Sequence, residues 1–332
     1  MGNIFLKCLI PLNLGSTNIL RKEISFCLAV YYGFDLCLLI ALKYVIRALE
    51  DVIGPINIDI ASYLGYEKVV EDLLQKECIK NYLAKYGLNA LLFATWQGHD
   101  KVVKLLLEKG GVNVNIADEE GVTPLIYAAY IGHEKVVKVL LEKDQIRVNQ
   151  VDKQGLTPLI TAADNGHIKI VKMLLEQEVI DVNIAHENGC TALLQAASRG
   201  HDKVVELLTK RQDILVNKPY SDGVTTPLFA AASFGHDKVV ELLTKKEDIL
   251  LNLPNYDGTT PLLTAAKRGY DKVVKALLKK EGIEVNQADL FGATPLSAAA
   301  DKRNGKIVDL LLGTEEIRAI GWDGWRPTAV PG

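Results

Sequence analysis

Apolar residues along this chain come in short bursts that repeat in one order. A small, apolar run such as Leu125-Ile126-Tyr127-Ala128-Ala129 comes first, and a glycine follows it. Next come charged residues, then a Val-Val or Ile-Val pair and a Leu cluster, as in Val102-Val103 with Leu105-Leu106-Leu107 and Val136-Val137 with Leu140-Leu141. That spacing marks one apolar face on a helix. Each burst therefore predicts two short helices with a glycine between them. A Val-Asn or Leu-Asn step leads onward at Val114-Asn115, Val148-Asn149, Val182-Asn183, Val216-Asn217, Leu251-Asn252 and Val285-Asn286. Turns containing Asp and Gly follow, so these stretches read as extended connections.

Fixed punctuation sets the register. Thr-Pro-Leu begins at Thr123, Thr157, Thr226, Thr260 and Thr294, with variants at Asn89-Ala90-Leu91 and Thr191-Ala192-Leu193. The successive spacings are 34, 34, 34, 35, 34 and 34 residues. Thr is a helix N-cap, and Pro fits the first turn because its missing N–H has no partner there. The pairs Ala128-Ala129, Ala162-Ala163 and Ala196-Ala197 keep the first helix thin, so that neighbouring units can approach. Gly98, Gly132, Gly166, Gly200, Gly235 and Gly269 end that helix, where a left-handed residue is usually required. An acid at Asp100, Glu134, Asp202, Asp237 or Asp271 suits the start of the second helix.

The order Thr-Pro-Leu, Ala-Ala, Gly-His, Val-Val, Leu-Leu, Val-Asn resembles the ankyrin repeat, a unit of about 33 residues made of a turn and two helices. The match is clear over residues 89–312. It implies an all-α solenoid of about nine helix-turn-helix units, the first two degenerate, similar to long fungal-type arrays. It also implies a protein-binding scaffold or adaptor rather than an enzyme. Departures exist: Ile126, Ile160 and Phe229 stand where the family has His, and Arg303-Asn304 replaces the last Gly-His.

The ends are weaker. Gly65-Tyr66-Glu67-Lys68-Val69-Val70 matches mid-unit, and Ala29, Gly33 and Leu38-Leu39 suggest an earlier unit. The expected organisation is an unassigned segment 1–20, two degenerate repeats over 21–88, seven units over 89–320, and a truncated further start over 321–332. Residues 24–42 are apolar enough to trip a membrane-helix window, but Asp35 and Gly33 lie inside, favouring two repeat helices over a membrane tether. The truncated repeat raises a third reading, a fragment or sensor appendage of a larger protein such as an immune-receptor-type NTPase.

Composition narrows the rest. Hydrophobic residues make up 48% and charged residues 24% of the 332, which is globular. A net charge of -3 gives no electrostatic case for nucleic acid. The five cysteines are irregularly spaced without a CxxC, so neither a disulfide framework nor a zinc site is expected. Absent sequons, a poor signal sequence, and Leu6 where a myristoylation motif needs Ser or Thr fit a cytoplasmic protein.

No catalytic, cofactor or metal motif emerges. Five of the six histidines follow a repeat glycine, and equivalent positions one unit apart are separated by a helix-packing distance, too far to share an ion. His186 reads as a loop residue and Cys190 as a turn thiol open to solvent.

The resemblance instead implies a concave groove lined by turn tips and first-helix ends. Its candidates are Trp96, Glu119, Glu120, Tyr130 and Ile131 in the early units. Lys153, Gln154, Asn165, Glu187 and Arg199 follow in the middle, then Tyr220, Phe234, Tyr256, Lys267, Arg268 and Phe291. They vary between units, whereas Asp202–Lys210 recurs unchanged at Asp237–Lys245. The expected partner is a protein. Each aromatic candidate could equally be packing on its neighbouring unit.

Overall fold

The chain's structure is a computed structural model that describes residues 54–315 and 317. The readings of residues 1–20, 24–42 and 321–332 lie outside the described residues. Helices come in pairs: α1 (Gly54–Leu64) with α2 (Glu67–Leu73), then, after a lone α3 (Glu77–Tyr86), α4 (Leu88–Gln97) with α5 (Asp100–Glu108). The pairs α6 (Pro124–Ile131) and α7 (Glu134–Leu141), α8 (Pro158–Asp164) and α9 (Ile168–Leu175), and α10 (Ala192–Arg199) and α11 (Asp202–Thr209) follow. Last come α12 (Pro227–Phe234) and α13 (Asp237–Leu243), α14 (Pro261–Arg268) and α15 (Asp271–Leu278), and α16 (Pro295–Asp301) and α17 (Gly305–Leu312). The described residues hold no β-strand, in keeping with the all-α expectation.

The local signals act as read. Thr123, Thr157, Thr191, Thr226, Thr260 and Thr294 each accept a hydrogen bond from the backbone N–H three residues on, at 3.1–3.3 Å. That satisfies one donor the helix start leaves without a partner. Gly98, Gly132, Gly200, Gly235 and Gly269 end their helices in the left-handed region. In the last unit Arg303 occupies that position at φ 54°, a conformation that costs a residue with a Cβ about 1–2 kcal/mol.

Packing follows in two layers. First helices from α4 to α16 lie against the first helices of adjacent units, and second helices from α2 to α17 do the same. The alanine pairs are fully buried, as are Val102, Val103 and Leu106 and their counterparts in later units, except Val308 in the last, which is half-buried. One continuous apolar core results, each unit covering its neighbour's face.

Helix α3 was not anticipated. It falls within the stretch 21–88 expected as two degenerate repeats, where no separate helix was assigned to residues 77–86. Residues 77–86 lack the turn glycine of the other connections, and they carry Ile79 and Leu83 one turn apart. Both are buried, so the segment stands as a helix against the array rather than as an extended turn. The Tyr82 hydroxyl donates to Asp59 Oδ2 at 3.1 Å, tying α3 to α1.

Candidate functional site

Most recurring polar side chains serve the stacking itself. His99, His133, His167, His201 and His236 each donate from Nε2 to a carbonyl in the preceding unit, at 2.9–3.1 Å. The acceptors are Tyr63, Trp96, Tyr130, Asp164 and Ser198, all near the C-terminal ends of first helices, where carbonyls lack intrahelical partners. Each ring sits directly over the preceding unit's glycine. A Cβ at Gly132 would lie 2.6 Å from the His167 ring, and its φ of 97° also disfavours any side chain. Glycine and histidine are thus two halves of one inter-unit clasp, which gives the histidines a structural role.

The sixth junction is built differently. Tyr270 covers Gly235, while Arg268 Nη1 donates to the Ser233 carbonyl at 2.6 Å. Arg268, proposed from sequence as a groove residue, also makes the bond that histidine makes elsewhere.

A second ladder runs through the Val-Asn steps. Asn115, Asn149, Asn183, Asn217 and Asn252 each donate from Nδ2 to a carbonyl one connection further on. Each also accepts on Oδ1 from a backbone N–H of that same connection. The sequence showed these asparagines as markers of extended chain. Their periodicity was visible, but the bidentate bond needed the neighbouring backbone in place.

The turns project as six fingers, each with a left-handed glycine: Gly121, Gly155, Gly189, Gly223, Gly258 and Gly292. A polar side chain folds each tip. Asp118, Asp152, Asn255 and Asp289 accept two backbone N–H bonds apiece, and His186 Nδ1 accepts one from Asn188. Adjacent fingers are stitched by Lys153 N–H to Glu120 O, Glu187 N–H to Gln154 O, Ser221 N–H to Asn188 O, and Leu290 N–H to Asp257 O. The unit with one extra residue breaks this series, and there the Tyr256 hydroxyl donates to the Asp222 carbonyl.

The candidate side chains fall on these tips and on first-helix ends. Glu119, Glu120, Lys153, Gln154, Glu187, Tyr256 and Phe291 are exposed on fingers, and Tyr220 is half-buried there. Trp96, Tyr130, Arg199, Phe234 and Arg268 are exposed at helix ends, with Asn165 just beyond α8. Ile131 and Lys267 are half-buried. Several are engaged within the array. Trp96 meets Tyr127 of the next unit edge-on at 5.6 Å, and Phe234 stacks on His236 at 6.2 Å. Arg199 Nε donates to Asp164 Oδ1 at 2.8 Å, and Asn165 Nδ2 to the Thr161 carbonyl at 2.9 Å. Lys267 Nζ bonds Asp289 Oδ2 at 2.6 Å and holds that carboxyl below its ordinary range.

The Cys190 reading needs correction. The residue is buried, and its thiol donates to Gln195 Oε1 at 2.9 Å. Burial pushes the thiol up to about 12, with the Asp164 charge adding to the shift, so the nucleophilic thiolate is suppressed at neutral pH. Among the described residues, no group of three or more His, Cys, Asp or Glu could hold a metal ion, and no helix is long and apolar enough to cross a membrane.

Comparison with known proteins agrees with this geometry. The family model described as "Ankyrin repeats (3 copies)" matches residues 58–152, 144–218, 212–289 and 228–320. The crystal structure of the human ASB11 ankyrin repeat domain superposes with a TM-score of 0.56 at 27% identity, covering 68% of this chain and 98% of that one. The ankyrin repeat domain of Bcl-3, a member of the IkappaB protein family, gives 0.57 at 25% identity, covering 67% and 97%. No curated protein matches the chain.

Proposed function

The chain belongs to the ankyrin-repeat family, and from that premise we propose that it is a protein-recognition scaffold or adaptor, acting in the cytoplasm, that binds its partner along the finger tips and first-helix ends. Solenoids of this kind present extended surfaces rather than enclosed pockets, and recognition by such surfaces is the family's general use.

The observation that carries the reading is a division of labour. Recurring side chains, the histidines and asparagines above all, are committed to unit-to-unit bonds. Exposed side chains on the fingers differ from unit to unit: Glu119-Glu120, Lys153-Gln154, Tyr256-Asp257, Leu290-Phe291. Variable chemistry on an invariant frame is what selective binding needs. Large aromatic side chains dominate binding energy where they become buried, about 2 kcal/mol or more each at a central position. Tyr130, Phe234 and Phe291 are exposed and available for that role.

The test is affinity capture from native extract with three forms of the full chain: wild type, Tyr130→Ala/Phe234→Ala/Phe291→Ala, and Val179→Ser, an exposed apolar control on a connection away from the tips. Trp96 stays intact because it packs on Tyr127. A protein held by wild type and control and lost by the triple variant supports the reading. Equal capture by all three places binding elsewhere.

A further inference from the structure

The finger row is chemically graded. Its first three tips carry Glu119, Glu120 and Glu187, all exposed, and none forms an ion pair with a described residue. Asp118 and Asp152 stand behind them with their carboxylates on backbone N–H groups, so their charge is not neutralised by a cation. Asp222 and exposed Asp257 extend the negative series. Of the cations on this face, Arg199 is paired with Asp164 and Lys267 with Asp289, while Arg268, bonded to a neutral carbonyl on a first-helix end, keeps its charge. Lys153 is the one cation on these six tips, and it forms no ion pair with a described residue.

At the other end the tips turn apolar. Tyr256 is 70%, Leu290 76% and Phe291 82% exposed. Leu290 and Phe291 form the whole tip of the last finger, held out by bonds from their backbone to Asp257 O and Asp289 Oδ1. The Asp289 carboxylate folds this tip through the Phe291 and Ala293 N–H groups, so the two bulky apolar side chains are not what holds it. Backbone bonds stitch the first four fingers to one another and the last two together, and the Tyr256 hydroxyl on the Asp222 carbonyl bridges the gap between the two groups, so the row runs from the acidic to the apolar end.

We infer that the bound segment is an extended stretch of protein carrying basic residues that lie over Glu119, Glu120 and Glu187, and two bulky apolar residues that cover Tyr256, Leu290 and Phe291. This rests on the binding face proposed above and names its partner's chemistry. Charge complementarity selects the occupant: a polyanion is repelled along the row, and a wholly apolar segment leaves the carboxylates uncompensated. The span sets the length. Units pack about 8–10 Å apart, so first to last finger is about 40–50 Å. An extended chain at about 3.3 Å per residue covers that with roughly 12–15 residues.

The experiment is display selection of random 16-residue peptides against the full chain, with the enriched peptide then titrated against variants. The expected consensus has Lys or Arg at one end and two bulky apolar residues at the other, in a constant order. Glu119→Gln/Glu120→Gln/Glu187→Gln is expected to weaken the selected peptide about tenfold and flatten its salt dependence. Leu290→Ser/Phe291→Ser is expected to weaken it at least tenfold while leaving the salt dependence unchanged. Folding of each variant is checked by circular dichroism. An acidic or uncharged consensus, no enrichment, or binding indifferent to both variants overturns the proposal. If native capture is still lost in the Tyr130, Phe234 and Phe291 variant while selection fails in these ways, the binding face stands and the partner chemistry falls. If capture is also equal across all forms, both fall.

Discussion

Replacing Arg268 by Ala tests whether the clasp is a chemical function that two different residues can fill. The bond from Arg268 Nη1 to the Ser233 carbonyl is 2.6 Å long and charge-assisted. Hydrogen bonds to charged groups contribute about 1.5–3 kcal/mol when sheltered. Arg268 is exposed and water can reach the freed carbonyl, so the expected loss is nearer 1 kcal/mol. Tyr270→His should install the usual donor, since at the other five junctions the His ring reaches the equivalent carbonyl at 2.9–3.1 Å. In that background Arg268→Ala should cost less than about 0.5 kcal/mol, because Ser233 O keeps a partner. The coupling between the two sites is then about 0.5–1 kcal/mol, within the range found for residues that share a partner. Equilibrium urea unfolding of all four forms gives the cycle, and native-state amide exchange over α12 to α15 localises it. Additive losses would refute the reasoning, showing that Arg268 and the clasp histidines do not perform the same task.

Three further outcomes follow from the same geometry. Asn183→Leu removes two inter-unit bonds, from Nδ2 to Asp213 O at 2.6 Å and from Leu215 N–H to Oδ1 at 2.8 Å, and should cost about 2 kcal/mol in urea unfolding. Arg303→Gly relieves a side chain held at φ 54°, and after the entropy glycine adds to the unfolded chain it should stabilise the last unit by about 0.5–1 kcal/mol, read as slower exchange in α16 and α17. Burial pushes Asp59 up from 3.8 to about 7, against hydrogen bonds from Tyr82, Asn89 and the Ala90 N–H that pull it down. The folded state therefore favours the protonated acid, so its contribution is fully present below about pH 4 and is lost as pH rises to 7. That loss amounts to at most about 4 kcal/mol at 1.36 kcal/mol per unit. Amides around α1, α3 and α4 should exchange faster at pH 8 than at pH 5 after correction for intrinsic rates, and Asp59→Asn should remove the difference.

The sequence by itself determined the repeat, its register and its two-helix unit. Those rest on local chemistry: Thr at the N-cap, Pro in the first turn, a left-handed Gly, and apolar residues at helical spacing each dictate the conformation of their own few residues. Read singly, Tyr127, His167 or Asn183 declares no partner. Their roles are contacts with residues 30 to 37 positions away, and only stacked units bring the partners together. The same holds for α3, where Ile79 and Leu83 need a neighbouring surface before a helix becomes the favoured answer. Cys190 looked like an exposed turn thiol in the sequence, and burial in the folded array decided otherwise. Exposure was least legible of all. The variable positions were visible one by one, but the stacking of units determined which of them reach solvent side by side, placing unpaired acids at one end of the row and Leu290 and Phe291 at the other. A local signal fixes a local dihedral, whereas a surface is made by residues that share no sequence neighbourhood.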